Sequence, residues 1–321
     1  MKFDSFIVAL LGCIGLAYFF PQGVLYQDGQ FMALLTGIGV SLIFFFYGLK
    51  LPFSTIKSGL SNWRLHLVIQ LATFLLFPLL LLPFRLLVDT VEQEHYWLSF
   101  FFLAVLPSTV SSSVVMVSIA RGNIPAAIFN ASISGLIGVV VTPLWMSLFL
   151  DFHTENVFVD VYWGLIREII IPVILGLLLQ RYFGQWATRH SKKLTLFDKS
   201  IILLIVYSSF AESFVSGVFN QVSTSYLIWV FVGVMVFFFL VYVLIWGLVK
   251  YAFKFTVADQ ITALFCGSKK SLTHGSVFGK FLFVNNPYAG LYFLPIMLFH
   301  AFQIFVVTII AQHYNNRGRG G

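Results

Sequence analysis

Three observations predict an all-α polytopic membrane protein of ten transmembrane helices, arranged as two inverted five-helix repeats. Of the 321 residues, 59% are hydrophobic and only 10% charged, with a mean hydropathy of +0.93. A water-soluble domain carries roughly a quarter charged residues, so most of this chain is expected to face lipid. Apolar stretches that can supply the roughly 20 residues of a bilayer span recur ten times, joined by short connections. Basic residues collect on alternate connections, as the positive-inside rule requires.

The first span, 5–21, follows Lys2 and contains Leu10-Leu11-Gly12-Cys13, which loosely resembles a lipoprotein signal. Asp4 interrupts the basic region and no A-x-A cleavage site follows, so the segment reads as a membrane helix. The second span is 31–49; the third, 65–86, carries Gln70 and Pro78. The fourth, 96–120, is interrupted by Leu106-Pro107-Ser108-Thr109-Val110-Ser111-Ser112-Ser113. The fifth, 124–150, holds Asn130 and the small residues Gly135 and Gly138, which permit close helix approach. The sixth, 162–181, carries Arg167-Glu168 about five residues in, and the seventh, 199–218, contains Glu212. The eighth, 226–250, is apolar up to its terminal Lys250. The ninth, 259–281, is interrupted by Cys266-Gly267-Ser268-Lys269-Lys270-Ser271-Leu272-Thr273-His274-Gly275-Ser276. After the tenth, 289–312, the polar and glycine-rich tail 315–321 reads as disordered. Cys13 and Cys266 both fall in apolar segments, so no disulfide framework is implied.

With both termini in the cytoplasm, 14 of the 19 Lys and Arg lie on that side, among them Lys2, Lys57, Arg121, Lys192, Lys193 and Arg319. The opposite side receives Asp28, Asp89, Glu92, Glu94, Asp151, Glu155 and Asp160, with Arg85 and Lys280 as its basic residues. This segregation accounts for the net charge of +7 without a nucleic-acid partner; the partner is the lipid bilayer. An odd-numbered set of helices re-enters the membrane inverted when it is repeated, so two halves of five form an inverted repeat. Pro107 and Gly267 lie 160 residues apart, half the chain. Unwound backbone at membrane depth is tolerated where protein or a watery cavity satisfies its amides, and paired breaks of this kind point to a transporter's central site.

Charged residues within spans are Arg167, Glu168, Glu212, Lys269 and Lys270. Each costs about 2.5–3.5 kcal/mol at mid-bilayer unless matched. Adjacent helix positions do not face each other, so Arg167 or Glu168 is expected to meet Glu212, either as a structural ion pair or to attract an anionic substrate. Lys269 and Lys270 lie far from either end of their span, and at least one should point into a cavity. His274 shares a face with Lys270 if the helix has resumed there, and the two together could carry a proton.

At these residues the chain resembles the bile acid:sodium symporter family, in its SBF-like branch of the solute carrier family 10 member 7 type. The resemblance covers nearly the whole chain and rests on Gln70 with Pro78, Leu106-Pro107-Ser108-Thr109-Val110-Ser111-Ser112-Ser113, Ala120-Arg121-Gly122-Asn123 and Lys270-Ser271-Leu272-Thr273-His274-Gly275. It implies a panel of helices 1, 2, 6 and 7 (1–58 and 156–222) beside a core of helices 3–5 and 8–10 (59–155 and 223–314), with 315–321 as a cytoplasmic tail. It also implies broken helices 4 and 9 that cross, and alternating access around an organic-anion site. In sodium-coupled members, one ion position corresponds to Ser112, Ser113, Ala126, Asn130 and Lys270, and the other to Lys270, Ser271, Thr273, His274 and Gln70.

The carboxylate shared by those sodium sites is replaced here by Lys270, or by Lys269 in a rival alignment. An ammonium 4 Å from Na+ is repelled by about 4 kcal/mol at an effective dielectric near 20. The expectation is therefore that Lys270 occupies the space of a sodium ion, donating to serine hydroxyls and freed carbonyls. The leading reading is a secondary transporter of small organic anions, sodium-independent or coupled to H+. The central cavity is then expected to hold Pro107, Ser108, Thr109, Ser112, Ser113, Asn130, Lys269, Lys270, Thr273 and His274, with Arg167 and Glu212. A symporter retaining one Na+ site is the alternative, and a non-transporting membrane regulator a further one. An enzyme is disfavoured: no H-E-x-x-H occurs, and Ser112 with His274 would form a nucleophile and base only by coincidence of folding.

Overall fold

The computed structural model describes residues 5–25, 30–51, 62–109, 111–150, 155–220, 224–284 and 286–317. Among the described residues the regular structure is entirely helical. The principal helices are α1 (Ser5–Phe19), α2 (Gln30–Lys50), α3 (Trp63–Leu87), α4 (Val91–Val105), α5 (Ser111–Ile119) and α6 (Ile124–Met146). They continue as α7 (Glu155–Leu165, passing through Ile166–Ile170 into Ile171–Arg189), α8 (Ser191–Val215), α9 (Thr224–Gly247, extended by Leu248–Ala252), α10 (Val257–Gly267), α11 (Leu272–Leu282) and α12 (Ala289–Arg317). Among the described residues, seven helices are long and apolar enough to cross a membrane: α2, α3, α6, α7, α8, α9 and α12; the shorter Val8–Phe19 in α1 is also apolar.

Several boundaries differ from the sequence reading. The sixth span runs on to Arg189, and the seventh begins at Ser191, so Lys192 and Lys193 form the first turn of α8 rather than a loop. Only His190 separates the two helices, and its backbone N–H still reaches Trp186 O (3.0 Å). The tail is a second correction: α12 runs to Arg317, so residues 315–317 complete a helix whose ladder needs no apolar side chains to continue. Gly318–Gly321 lie outside the described residues, as do Lys2, Asp4, Asp28, Lys57, Asp151 and Arg319 of the charge and signal readings and Val110 of the fourth-span motif.

Proline shapes two of the long helices in the same way. In α3 a wider π-helical turn, Ala72–Leu76, precedes Phe77-Pro78, and the Phe77 N–H reaches back to Ala72 O. Proline has no N–H of its own, so the Thr73 carbonyl has lost both possible backbone donors. The next carbonyl, Phe74 O, is met by the Trp145 indole N–H at 2.9 Å. In α7 the turn Ile166–Ile170 precedes Ile171-Pro172, and the Ile171 N–H reaches Ile166 O. Turns of this type release carbonyls inside an apolar span and recur at functional sites.

The chain folds into two compact units. One comprises Met1–Leu51, Ser147–Val222 and Ser276–Phe293; the other comprises Pro52–Met146, Ser223–Gly275 and Leu294–Gly321. In the first, α2 packs along α7 through Gly48 and Gly176, where a β-carbon on either would overlap the other helix's backbone. Close contact through small residues is how membrane helices gain packing energy without a hydrophobic drive. The second unit contains both helix breaks.

Candidate functional site at two helix breaks

Both interruptions expected from sequence are present. α4 starts at Val91 on a capping box, in which Thr90 Oγ1 accepts the Gln93 N–H (3.2 Å) and Gln93 Oε1 accepts the Thr90 N–H (3.3 Å). It stops at Val105 because Pro107 drives Leu106 into extended backbone (φ −72°, ψ 150°). α10 begins at the N-cap Thr256, whose hydroxyl accepts the Asp259 N–H, and ends at Gly267. Residues 268–271 are non-helical, and α11 resumes at Leu272.

Each break satisfies its backbone with side chains. In the first, Ser134 Oγ of α6 accepts the Ser108 N–H (3.0 Å), and Thr142 donates to Val105 O (2.7 Å). A β-carbon at Gly138 would lie 2.9 Å from Pro107 Cγ, so the expected close approach of α6 occurs at that glycine. The last carbonyls of α10 are taken up by the first break: Ser113 Oγ donates to Phe265 O (3.1 Å) and Ser108 Oγ to Cys266 O. These are the carbonyls that a helix C-terminus leaves without internal donors. The Ser271 N–H bonds Pro107 O (2.9 Å), joining break to break directly.

The two lysines lie here and are fully buried. Lys270 Nζ donates to three carbonyls, Thr73 O (2.7 Å), Ala104 O (2.6 Å) and Leu106 O (2.7 Å), and sits 4.0 Å from the centre of the Phe77 ring. Thr73 O is the oxygen released by the π turn. Ala104 O is released because the Ser108 N–H that would close its helical bond goes to Ser134 instead. An ammonium has three N–H donors, and here each finds one carbonyl. The backbone of Lys270 is held as fully, since Gln303 Oε1 accepts its N–H (2.9 Å) and Gln303 Nε2 donates to its carbonyl (2.8 Å). Lys269 Nζ donates to Ser112 Oγ (2.7 Å), within a cluster joined by Thr109 to Ser112 and Ser113 contacts of 2.9 Å each.

The lysines thus divide the partners expected of one. Lys270 takes the freed carbonyls and Lys269 takes the serine hydroxyl. His274 does not pair with Lys270 as the proton reading requires; its ring Nδ1 is 2.9 Å from Ser271 Oγ, which also accepts the His274 N–H and so caps α11. Thr273 is half-buried beside it. Gln70 and Asn130 do meet: Gln70 Nε2 donates to Asn130 Oδ1 (3.2 Å) and O (3.3 Å), while Asn130 Nδ2 contacts His66 Nδ1 (2.7 Å) and donates to Ala126 O (2.9 Å).

Arg167 and Glu212 belong to the other compact unit, where both are exposed. The anticipated pairing of the sixth span with Glu212 is not formed. Glu168 Oε2 instead meets Lys280 Nζ at 2.7 Å, because α11 brings a lysine of opposite charge to the same level of α7. Sequence reasoning also passed over Gln303, Thr73, Ala104 and Phe77. A glutamine in the middle of an apolar tenth span is a usable signal for the first. Thr73 could have been found from Pro78 five residues later, which strips its carbonyl of a donor.

Comparison with known proteins agrees with the resemblance read from these residues. The SBF-like CPA transporter family matches residues 4–316. An uncharacterized Pseudomonas aeruginosa protein, PA2026, is 37% identical over 316 residues, covering 98% of this chain and 93% of its own. The Escherichia coli protein named "Putative symporter YfeH" is 33% identical over 317 residues, with the same coverage of 98% and 93%. Sodium/bile acid cotransporter 7-A of Xenopus laevis is 30% identical over 282 residues, covering 86% of this chain and 81% of its own. Matched over almost its whole length, and carrying helices long and apolar enough to span a bilayer, the chain is a multi-pass membrane transporter that belongs to the SBF-like CPA transporter family.

Proposed function

We propose that the protein is a secondary transporter of small organic anions, working by alternating access in a cell membrane with both termini cytoplasmic, and that Lys270 replaces a sodium ion in its core. The carrying observation is the set of three carbonyls at 2.6–2.7 Å around the Lys270 ammonium, drawn from the π turn of α3 and the break after α4. Neutral oxygens converging on one positive charge form the kind of cage that a bound cation needs. In this reading the crossing is held together by a cation that never leaves, and sodium is not required. If Lys270 stays charged through the cycle, the protein is a facilitator; if it releases its proton, transport is coupled to H+.

The seven long helices, α1 and the interrupted pairs α4/α5 and α10/α11 make ten crossings in this reading, five in each inverted half. Segments 1–58 and 156–222 are the panel, and segments 59–155 and 223–314 the core. No step here calls for catalysis, and the relatives' names speak of symport rather than of an enzyme.

A second reading, a symporter with one surviving sodium site, is favoured by Gln70. Its Oε1 is buried and accepts no hydrogen bond among the described residues, leaving a carbonyl oxygen open to a cation. The names of the relatives, a symporter and a sodium/bile acid cotransporter, point the same way. Melting temperatures of wild type and Lys270→Glu in matched sodium and potassium buffers separate the two, because a ligand of the folded state stabilises by RT ln(1 + [L]/Kd). Only the glutamate variant is expected to gain stability from sodium. A sodium-specific gain in wild type would return sodium coupling to first place.

A further inference from the structure

Lys269 and Lys270 are adjacent and equally buried, yet their donors are not equally filled. Lys270 uses all three N–H groups on carbonyls. Among the described residues Lys269 has one acceptor, Ser112 Oγ.

The hydroxyls beside Lys269 can be oriented from their partners. Ser113 gives its proton to Phe265 O, so Thr109 must donate to Ser113. With that proton committed, Ser112 must donate to Thr109, and Ser112 Oγ can only accept from Lys269. Every hydroxyl proton therefore points away from Lys269, towards the end of α10. Among the described residues the chain offers one acceptor atom to the ammonium, which has three N–H donors. A buried ammonium with so few partners is strongly under-matched. Lys269, Thr109 and Ser113 are buried, whereas Ser112, the hydroxyl in contact with Lys269, is partly exposed.

From this asymmetry we infer that Lys269 is the anion-binding residue: its two unfilled donors, reached past Ser112, take the oxyanion head of the cargo, a carboxylate or a sulfate-like group. Lys270 is then the fixed cation of the fold and Lys269 the exchangeable one. This assignment rests on the anion-transport reading and specifies the residue that reading leaves open.

The test uses purified full-length protein in nanodiscs, with potassium acetate and potassium sulfate as probes against potassium chloride at constant ionic strength. Wild type is expected to show a saturable rise in melting temperature with at least one oxyanion. Lys269→Met should weaken that binding by about tenfold or more, the loss of at least one charge-assisted hydrogen bond, and Lys269→Arg should retain most of it. Should the methionine variant fail to fold, Ser112→Asp serves instead: a carboxylate attached beside Lys269 should abolish the response to added oxyanion. A wild type indifferent to both probes, or an unchanged response in Lys269→Met or Ser112→Asp, overturns the assignment. Uptake into proteoliposomes separates this from the broader reading. Saturable organic-anion uptake that is equal in wild type and Lys269→Met removes Lys269 and leaves transport standing, whereas wild type without any such uptake removes the transport reading itself.

Discussion

The Glu168–Lys280 pair and the Lys270 cage match a lysine's charge by opposite means. Lys280 is matched by a carboxylate at 2.7 Å, and both side chains keep some exposure, 17% for Lys280 and 26% for Glu168. Lys270 has no exposure at all and is matched by backbone dipoles and an aromatic face. A charge pair is made by two side chains and can be exchanged for another pair. A carbonyl cage is made by backbone geometry, which Pro78 and Pro107 impose, and no single side chain can replace it. The first arrangement is replaceable chemistry; the second is part of the fold.

Removing the cation from the cage gives the largest expected effect. Lys270→Met leaves three buried carbonyls without donors, at about 1–3 kcal/mol each, and should yield little monodisperse protein or a severely lowered unfolding midpoint. A variant that melts with wild type would mean that the cage contributes nothing to stability. The next largest should come from Gln303→Leu, which strands one N–H and one C=O of Lys270. About 1–3 kcal/mol for each group is expected, read as a lowered midpoint in reversible denaturation within lipid. The smallest belongs to the partly exposed pair. Lys280→Met should lower stability by only about 1 kcal/mol, as measured for solvent-accessible ion pairs, and the charge-reversed double variant Glu168→Lys/Lys280→Glu should recover most of it. Failure of the double variant to recover would show that the pair depends on its backbone setting as much as the cage does.

How far the residues could be read from sequence follows the same division. The breaks were legible because Pro107 and Gly267 punctuate apolar spans, and proline and glycine act locally. The buried lysines were legible because charge in an apolar run is conspicuous. Which partner each lysine takes was not, since Thr73 lies 197 residues from Lys270 and Ser112 lies 157 from Lys269. Pairing Arg167 or Glu168 with Glu212 failed for a related reason: a helix position fixes depth along the span, while the identity of the facing helix is a matter of packing. The first three residues of the tail differ from the sequence reading because polar composition does not stop a helix: backbone hydrogen bonds carry α12 through Asn315 and Asn316 to Arg317.

By itself the sequence determined that the chain is helical, membrane-embedded, twice interrupted and charged at its interruptions, because hydropathy, length and proline chemistry are properties of neighbouring residues. Only the tertiary structure decided that Lys270 is saturated by carbonyls while Lys269 is not, that Gln303 clamps the second break, and that Glu168 belongs to Lys280. Hydrogen bonds depend on distances of a few tenths of an ångström between atoms far apart in the chain, and no periodicity in one strand of sequence encodes them.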